Sequence, residues 1–230
     1  MLKVEDIHTY YGDSYILQGI SLVLGNGEVK GILGRNGMGK TTLLRSLIGF
    51  NPPRRGRITY RDEEISHKKS YEIARLGISM VPQGKQIFTT LSVEENLTVA
   101  FRGKEGGWTL EKIYKLFPPL KERRHLLGNL LSGGEQQMLA IARCLMTNPT
   151  LLLMDEPTEG LSPIYVKTVG QVIRELQDSA MSILLVEQNI KFAQKYTDYI
   201  YILNQGRILH SLLPEELEAN YEIKHKHLGV

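Results

Sequence analysis

The stretch Gly34-Arg35-Asn36-Gly37-Met38-Gly39-Lys40-Thr41 constrains this chain more than any other. It fits the pattern G-x-x-x-x-G-K-[ST], in which glycines let backbone N–H groups converge on an anion and a lysine adds a full positive charge. The flanks suit that reading. An apolar run, Glu28 to Leu33, precedes the loop, and Thr41 to Ile48 follows with Leu43, Leu44, Leu47 and Ile48 at helical spacing. Strand, glycine turn and helix in this order aim the positive end of the helix at the bound anion. Lys40 is expected on the β and γ phosphates of a nucleotide, and the Thr41 hydroxyl on Mg²⁺.

The rest of the chain reads as α/β. Ile20 to Leu24 alternates as a strand, and Gly25-Asn26-Gly27 turns the chain before the run that begins at Glu28. Gly49 and Asn51-Pro52-Pro53 stop the first helix. Residues 85–147 lean helical and polar, with interruptions at Gly106-Gly107 and Pro118-Pro119, and are expected to form an inserted helical subdomain whose last helix starts near Ser132. Leu151 to Met154 and Ile183 to Val186 are unbroken apolar runs, as strands buried on both faces of a parallel sheet require. A helix from about Ile164 to Gln177 separates them, and Tyr199 to Leu203 with Arg207 to Leu209 reads as a hairpin. The tail, Ile223 to His227, reads as a solvated end and not as a metal site. One domain, 1–230, with a mainly parallel core sheet accounts for the pattern.

Composition excludes several classes. Lys plus Arg is 28 against 25 for Asp plus Glu, and a net charge of +3 is too small a surplus to mark a nucleic-acid partner. Cys144 is the sole cysteine, so no intrachain disulfide forms and a cytosolic setting is expected; its apolar surroundings read as those of a buried, inert thiol. Acids in Met1–Asp6 argue against a signal peptide, and no apolar run reaches bilayer length, so any membrane role is expected to be peripheral.

Two further elements carry chemistry. Asp155-Glu156 ends the first buried apolar run, at the carboxyl end of a parallel strand, where α/β proteins bind ligands. Asp155 suits a Mg²⁺ shell and Glu156 suits polarising an attacking water, although a strand emerging into solvent at two acids has the same sequence. Ser132 followed by Glu135 is a capping-box pattern, and the intervening Gly133-Gly134 leaves N–H groups open to a second phosphate. A well-capped helix alone would also satisfy it.

Together these motifs resemble an ABC transporter ATPase over nearly the whole length. The resemblance implies that Gly34, Arg35, Asn36, Gly37, Met38, Gly39, Lys40, Thr41 and Thr42 bind ATP, with Tyr11, before Gly12, stacking on adenine. It places Gln83, after Val81-Pro82, and Glu156 and Gln188 in the catalytic set, with Thr41, Gln83 and Asp155 around Mg²⁺. Ser132, Gly133, Gly134 and Glu135 form the signature, which in that family contacts the ATP held by a partner subunit. The implied architecture is a P-loop cassette: a mainly parallel core sheet, an antiparallel β subdomain and the inserted helices.

The implied partners are a second ATPase subunit, identical or distinct, two transmembrane permease subunits and, indirectly, an external solute-binding protein. The implied location is the cytoplasmic face of the cell membrane, and Ile87 and Phe88 are candidates for docking a permease or for the core. Two positions depart from the family pattern: Gln188 stands where a histidine is usual, and Ser162 where an aspartate is usual. Val186-Glu187-Gln188-Asn189, with Glu135 to Arg143, is similar to the LivF-type ATPases of branched-chain amino-acid importers, while Asp155 to Gly160 also resembles urea and short-amide importers. A soluble ABC protein without a transport role is the remaining alternative.

Overall fold

In the computed structural model, which describes residues Met1–Leu228, the chain opens with β1 (Leu2–Tyr11), β2 (Ser14–Leu24), β3 (Val29–Leu33), α1 (Lys40–Leu47), β4 (Arg55–Tyr60) and β5 (Glu63–Glu64). α2 (Ser70–Arg75) and β6 (Ile78–Val81) follow, then the helices α3 (Val93–Thr98), α4 (Leu110–Leu116), α5 (Pro118–Glu122) and α6 (Gly133–Leu145). The last third runs β7 (Leu151–Asp155), α7 (Pro163–Asp178), β8 (Ser182–Glu187), α8 (Ile190–Tyr196), β9 (Tyr199–Asn204), β10 (Arg207–Leu212) and α9 (Pro214–Ala219). Gly229 and Val230, the end of the expected domain, lie outside the described residues.

The strands form a six-stranded sheet in the order β10-β9-β3-β8-β7-β6, parallel except for the β10 edge, and a four-stranded antiparallel sheet in the order β2-β1-β4-β5. Every residue of β7 and of β8 is buried, as their unbroken apolar runs require. Alternation divides their side chains between two cores. Leu152, Met154, Ile183 and Leu185 face α6, α7 and the inserted helices. Leu151, Leu153, Leu184 and Val186 face α1 and the antiparallel sheet. The central sheet is therefore covered on both faces.

Two local expectations gain detail and a third changes. The Gly25-Asn26-Gly27 turn joins strands of different sheets and makes no hairpin: β3 pairs in parallel with β8 and β9, and the Gly27 N–H donates to Ser182 Oγ across 2.8 Å. Pro118-Pro119 begins a helix, because a proline in the first turn has no N–H to waste and already holds a helical φ. The tail is not simply solvated; Ile223 and Leu228 pack on a cluster formed by Leu33, Ala193, Ile200, Ile202, Leu212 and Leu217. Residues 85–147 do contain α3 to α6, with extended and turn segments between them.

Candidate active site

Gly39 caps α1 with φ 103°, a left-handed conformation that glycine alone adopts without strain. The first turn of α1 carries no acid, so no side chain there opposes an anion at the helix end. Lys40 is 4% exposed, and its ammonium meets Gly34 O at 2.6 Å, Arg35 O at 3.0 Å and Glu156 Oε1 at 3.0 Å. Three donors find three acceptors, which fixes the side chain along the inside of the loop. Met38 ties the outside of the loop to the β9–β10 turn, its carbonyl accepting from the Gly206 N–H at 3.0 Å.

Glu156 follows β7 with φ 48°, a strained value for a residue with a side chain, and its N–H donates to Val186 O at 2.9 Å. Its second carboxylate oxygen accepts from Gln188 Nε2 at 2.9 Å, and the same amide donates to Asn36 Oδ1 in the loop. Glu156 thus lies between a cation at the start of α1 and an amide beyond β8.

Asp155 is 1% exposed, and neither carboxylate oxygen has a hydrogen-bond partner among the described residues. Burial pushes its pKa up and the adjacent Glu156 adds to the rise, while Thr41, Lys40 and Arg45 draw it down. An orphaned buried carboxylate is costly unless something cationic meets it. With Thr41 close by, the donor set fits Mg²⁺, which usually takes one or two carboxylates and completes its shell with phosphate oxygens and water.

A cleft of about 410 Å³ opens over these groups, lined by Ile16, Asn36, Gly37, Gly39, Lys40, Thr41, Thr42, Gln83 and Glu156. Gln83 is aimed by a hydrogen bond from its Nε2 to Glu159 Oε2 at 2.8 Å. Tyr11 does not line this wall: 40% exposed, its hydroxyl accepts from Arg45 at 3.3 Å, and Ile16 supplies the apolar surface instead. A larger cavity of about 800 Å³ lies beyond Gln188, between α8 and the stretch from Glu218 to Leu228, and is lined by no residue of the glycine loop.

Ser132 and Glu135 form the expected capping box, with the Ser132 N–H donating to Glu135 Oε2 at 2.8 Å and the Glu135 N–H to Ser132 Oγ at 3.4 Å. Glu135 also pairs with Arg123 at 2.9 Å, so both oxygens of this largely buried carboxylate are engaged within the chain. Gly133 is exposed, but Gly134 is buried against the Tyr165 ring, which a Cβ at that position would penetrate. Its glycine is demanded by packing, not by exposure to an anion. Ser132 Oγ lies 3.3 Å from the Tyr165 hydroxyl, and none of Ser132, Gly133, Gly134 or Glu135 lines the cleft.

Ser162 starts α7 without a side-chain capping bond. Ile87 packs partly against the core, whereas Phe88 is 49% exposed with the Arg143 guanidinium 4.8 Å over its ring. Cys144 is buried, which raises its thiol pKa, and its Sγ–H donates to Met80 O. Sequence reasoning missed Ile16, Glu159, Tyr165 and Glu187. Glu187 alone had a signal: like Asp155, it is an acid at the end of an unbroken apolar run.

A glycine loop between β3 and α1, with acids at the end of the buried strand β7 one strand removed from β3 in a largely parallel sheet, defines a P-loop nucleoside triphosphatase. Residues 17–159 match the ABC transporter family, and the chain belongs to it. It is accordingly a nucleotide-binding ATPase.

The chain is 40% identical to the high-affinity branched-chain amino acid transport ATP-binding protein BraG of Pseudomonas aeruginosa, over 100% of both chains. It is 32% identical to the lipopolysaccharide export system ATP-binding protein LptB of Escherichia coli, over 99% of this chain and 97% of the other. A crystal structure of a nucleotide-free ATP-binding cassette from an ABC transporter superposes with a TM-score of 0.84 at 27% identity, covering 95% of this chain and 94% of that one.

Proposed function

We propose that this chain is the ATP-hydrolysing subunit of an importer for branched-chain, hydrophobic amino acids. The observation that carries the reading is the end-to-end 40% identity to BraG, joined to a cleft whose groups suit γ-phosphoryl transfer. Lys40, exchanging its bonds to Gly34 O and Arg35 O for phosphate oxygens, and the loop N–H groups grip the β and γ phosphates, and Asn36 and Gln188 flank the γ position. Asp155 and Thr41 would hold Mg²⁺, with Gln83 near it, and the ion would supply positive charge for the phosphate oxygens. Glu156 accepts a proton from the attacking water, positioned by Lys40 on one oxygen and Gln188 on the other. Glu156→Gln should bind ATP while hydrolysis collapses and an ATP-bound dimer accumulates on size exclusion; undiminished turnover would remove Glu156 as the base.

Ser132 and the adjoining N–H groups, remote from this chain's own cleft, contact the nucleotide on a second ATPase subunit. We assign exposed Phe88 to the face that meets the two permease subunits, and the chain to the cytoplasmic side of the membrane. No helix among the described residues is long and apolar enough to cross a bilayer. Purifying the assembly from membranes and identifying the solute on its external binding protein tests the cargo; urea or a short amide in place of leucine, isoleucine or valine would transfer the chain to the related importers. Phe88→Asp should keep ATPase activity and lose transport, and retained transport would remove the docking role.

A further inference from the structure

Glu187 closes β8 with 2% exposure and takes no direct part in the phosphate chemistry. Its carboxylate nevertheless joins two loops that are far apart in sequence. Oε1 accepts from the Thr158 N–H at 3.1 Å and from the Thr158 hydroxyl at 2.7 Å. Oε2 accepts from the N–H of Gln188 at 3.2 Å and of Asn189 at 3.3 Å. All four partners are donors, so each contact is one that an ionised carboxylate makes. Burial pushes the Glu187 pKa up, while the Thr158, Gln188 and Asn189 donors pull it back.

The loops so joined carry the two side chains whose separation matters. Thr158 lies two residues beyond Glu156, and the Gln188 N–H belongs to the amide-bearing residue that touches Glu156. Beyond the β7–β8 ladder, which ends at Asp155 beside Val186, the Glu156 N–H to Val186 O bond also ties the backbone at Glu156 to β8. The strained φ at Glu156 needs a surrounding structure that over-determines it, and the Glu187 clip supplies part of that structure.

We propose that Glu187 is a positioning residue for hydrolysis: its buried carboxylate clips the Thr158 loop to the Gln188 turn and so sets the contact between Glu156 and Gln188. This rests on Glu156 as base. An amide at 187 keeps the volume but offers one acceptor oxygen in place of two, leaving one loop facing an NH₂ group.

The test compares Glu187→Gln with the unaltered chain in its assembled transporter, measuring kcat, the KM for ATP and the affinity for a fluorescent ATP analogue. We expect kcat to fall about 10- to 10²-fold, as for a displaced reacting group, with nucleotide affinity within about twofold. In a Gln188→Ala background the same change should cost little more, because the contact it sets is already gone. Unchanged kcat, an equal loss in both backgrounds, or a parallel loss of nucleotide affinity would overturn the proposal.

Should Glu187→Gln fail to fold, Thr158→Val and Thr158→Ser decide. A kcat loss in the first that the retained hydroxyl of the second restores supports the clip; normal kcat in Thr158→Val rejects it. Glu156→Gln is assayed in parallel. If that variant turns over normally, the base assignment fails and this inference with it, whereas normal turnover by Glu187→Gln beside an inactive Glu156→Gln removes the inference alone.

Discussion

Gln188 donates from Nε2 to Glu156 across 2.9 Å and, through the same nitrogen, reaches Asn36 in the glycine loop. One neutral amide thus spans the proposed base and the edge of the phosphate site. A histidine there could carry charge; the amide cannot, but it can hold Glu156 with one N–H and, by giving up Asn36, turn the other toward the γ-phosphate.

Gln188→Ala removes that donor and should lower kcat by about 10²-fold, in the range of a lost transition-state hydrogen bond. Gln188→His should keep or raise turnover, because the imidazole reaches the same neighbours. A steady-state ATPase assay of both checks this. An inactive but folded Gln188→His would count against the placement of residue 188 at the γ-phosphate.

The proposed role of Asp155 in holding Mg²⁺ links metal binding to stability. Its pKa is raised in the fold, so its favourable contribution is fully present below the ordinary carboxylate range and is lost as pH rises through the folded value. Above the ordinary carboxylate range the group, with no hydrogen-bond partner among the described residues, costs stability. Without metal, Asp155→Asn should therefore raise Tm at pH 7 by about 2–4 °C for each kcal/mol relieved, with the gain vanishing below about pH 4. Mg²⁺ with ATP should stabilise the unaltered chain and not the variant. Thermal unfolding across pH, with and without Mg-ATP, reads both, and a pH-independent difference would refute the account.

Gly134 is held bare by the Tyr165 ring. Gly134→Ala should destabilise the chain by about 1–3 kcal/mol through overpacking. In combination with Tyr165→Ala, which vacates the space, the added methyl should cost almost nothing. Denaturant melts of the two single variants and the double variant measure the coupling; additive losses would mean that the ring is not what excludes a side chain.

The buried strands β7 and β8 were readable because burial on both faces leaves unbroken apolar runs, and the glycine loop because its chemistry permits few alternatives. β1 was not. Its Leu2, Val4, Ile7 and Thr9 are buried, but a bulge with Asp6 at φ 48° shifts the alternation by one residue and hides the period. β6 is four residues long and gives no pattern of its own. Sheet order was also hidden, since β3 lies between β8 and β9 through pairings more than a hundred residues apart. The Tyr165 ring over Gly134 and the Glu187 clip join residues about thirty positions apart on different elements, which no local spacing encodes.

That Ser132 stands away from its own chain's cleft has a consequence for complementation. Wherever two copies pair, a Lys40-defective copy mated to a Ser132-defective copy concentrates both lesions in one composite pocket and leaves the other wild-type. Co-expressing two inactive forms should then restore one working nucleotide site per pair, while a single copy bearing both lesions, paired with itself, restores none.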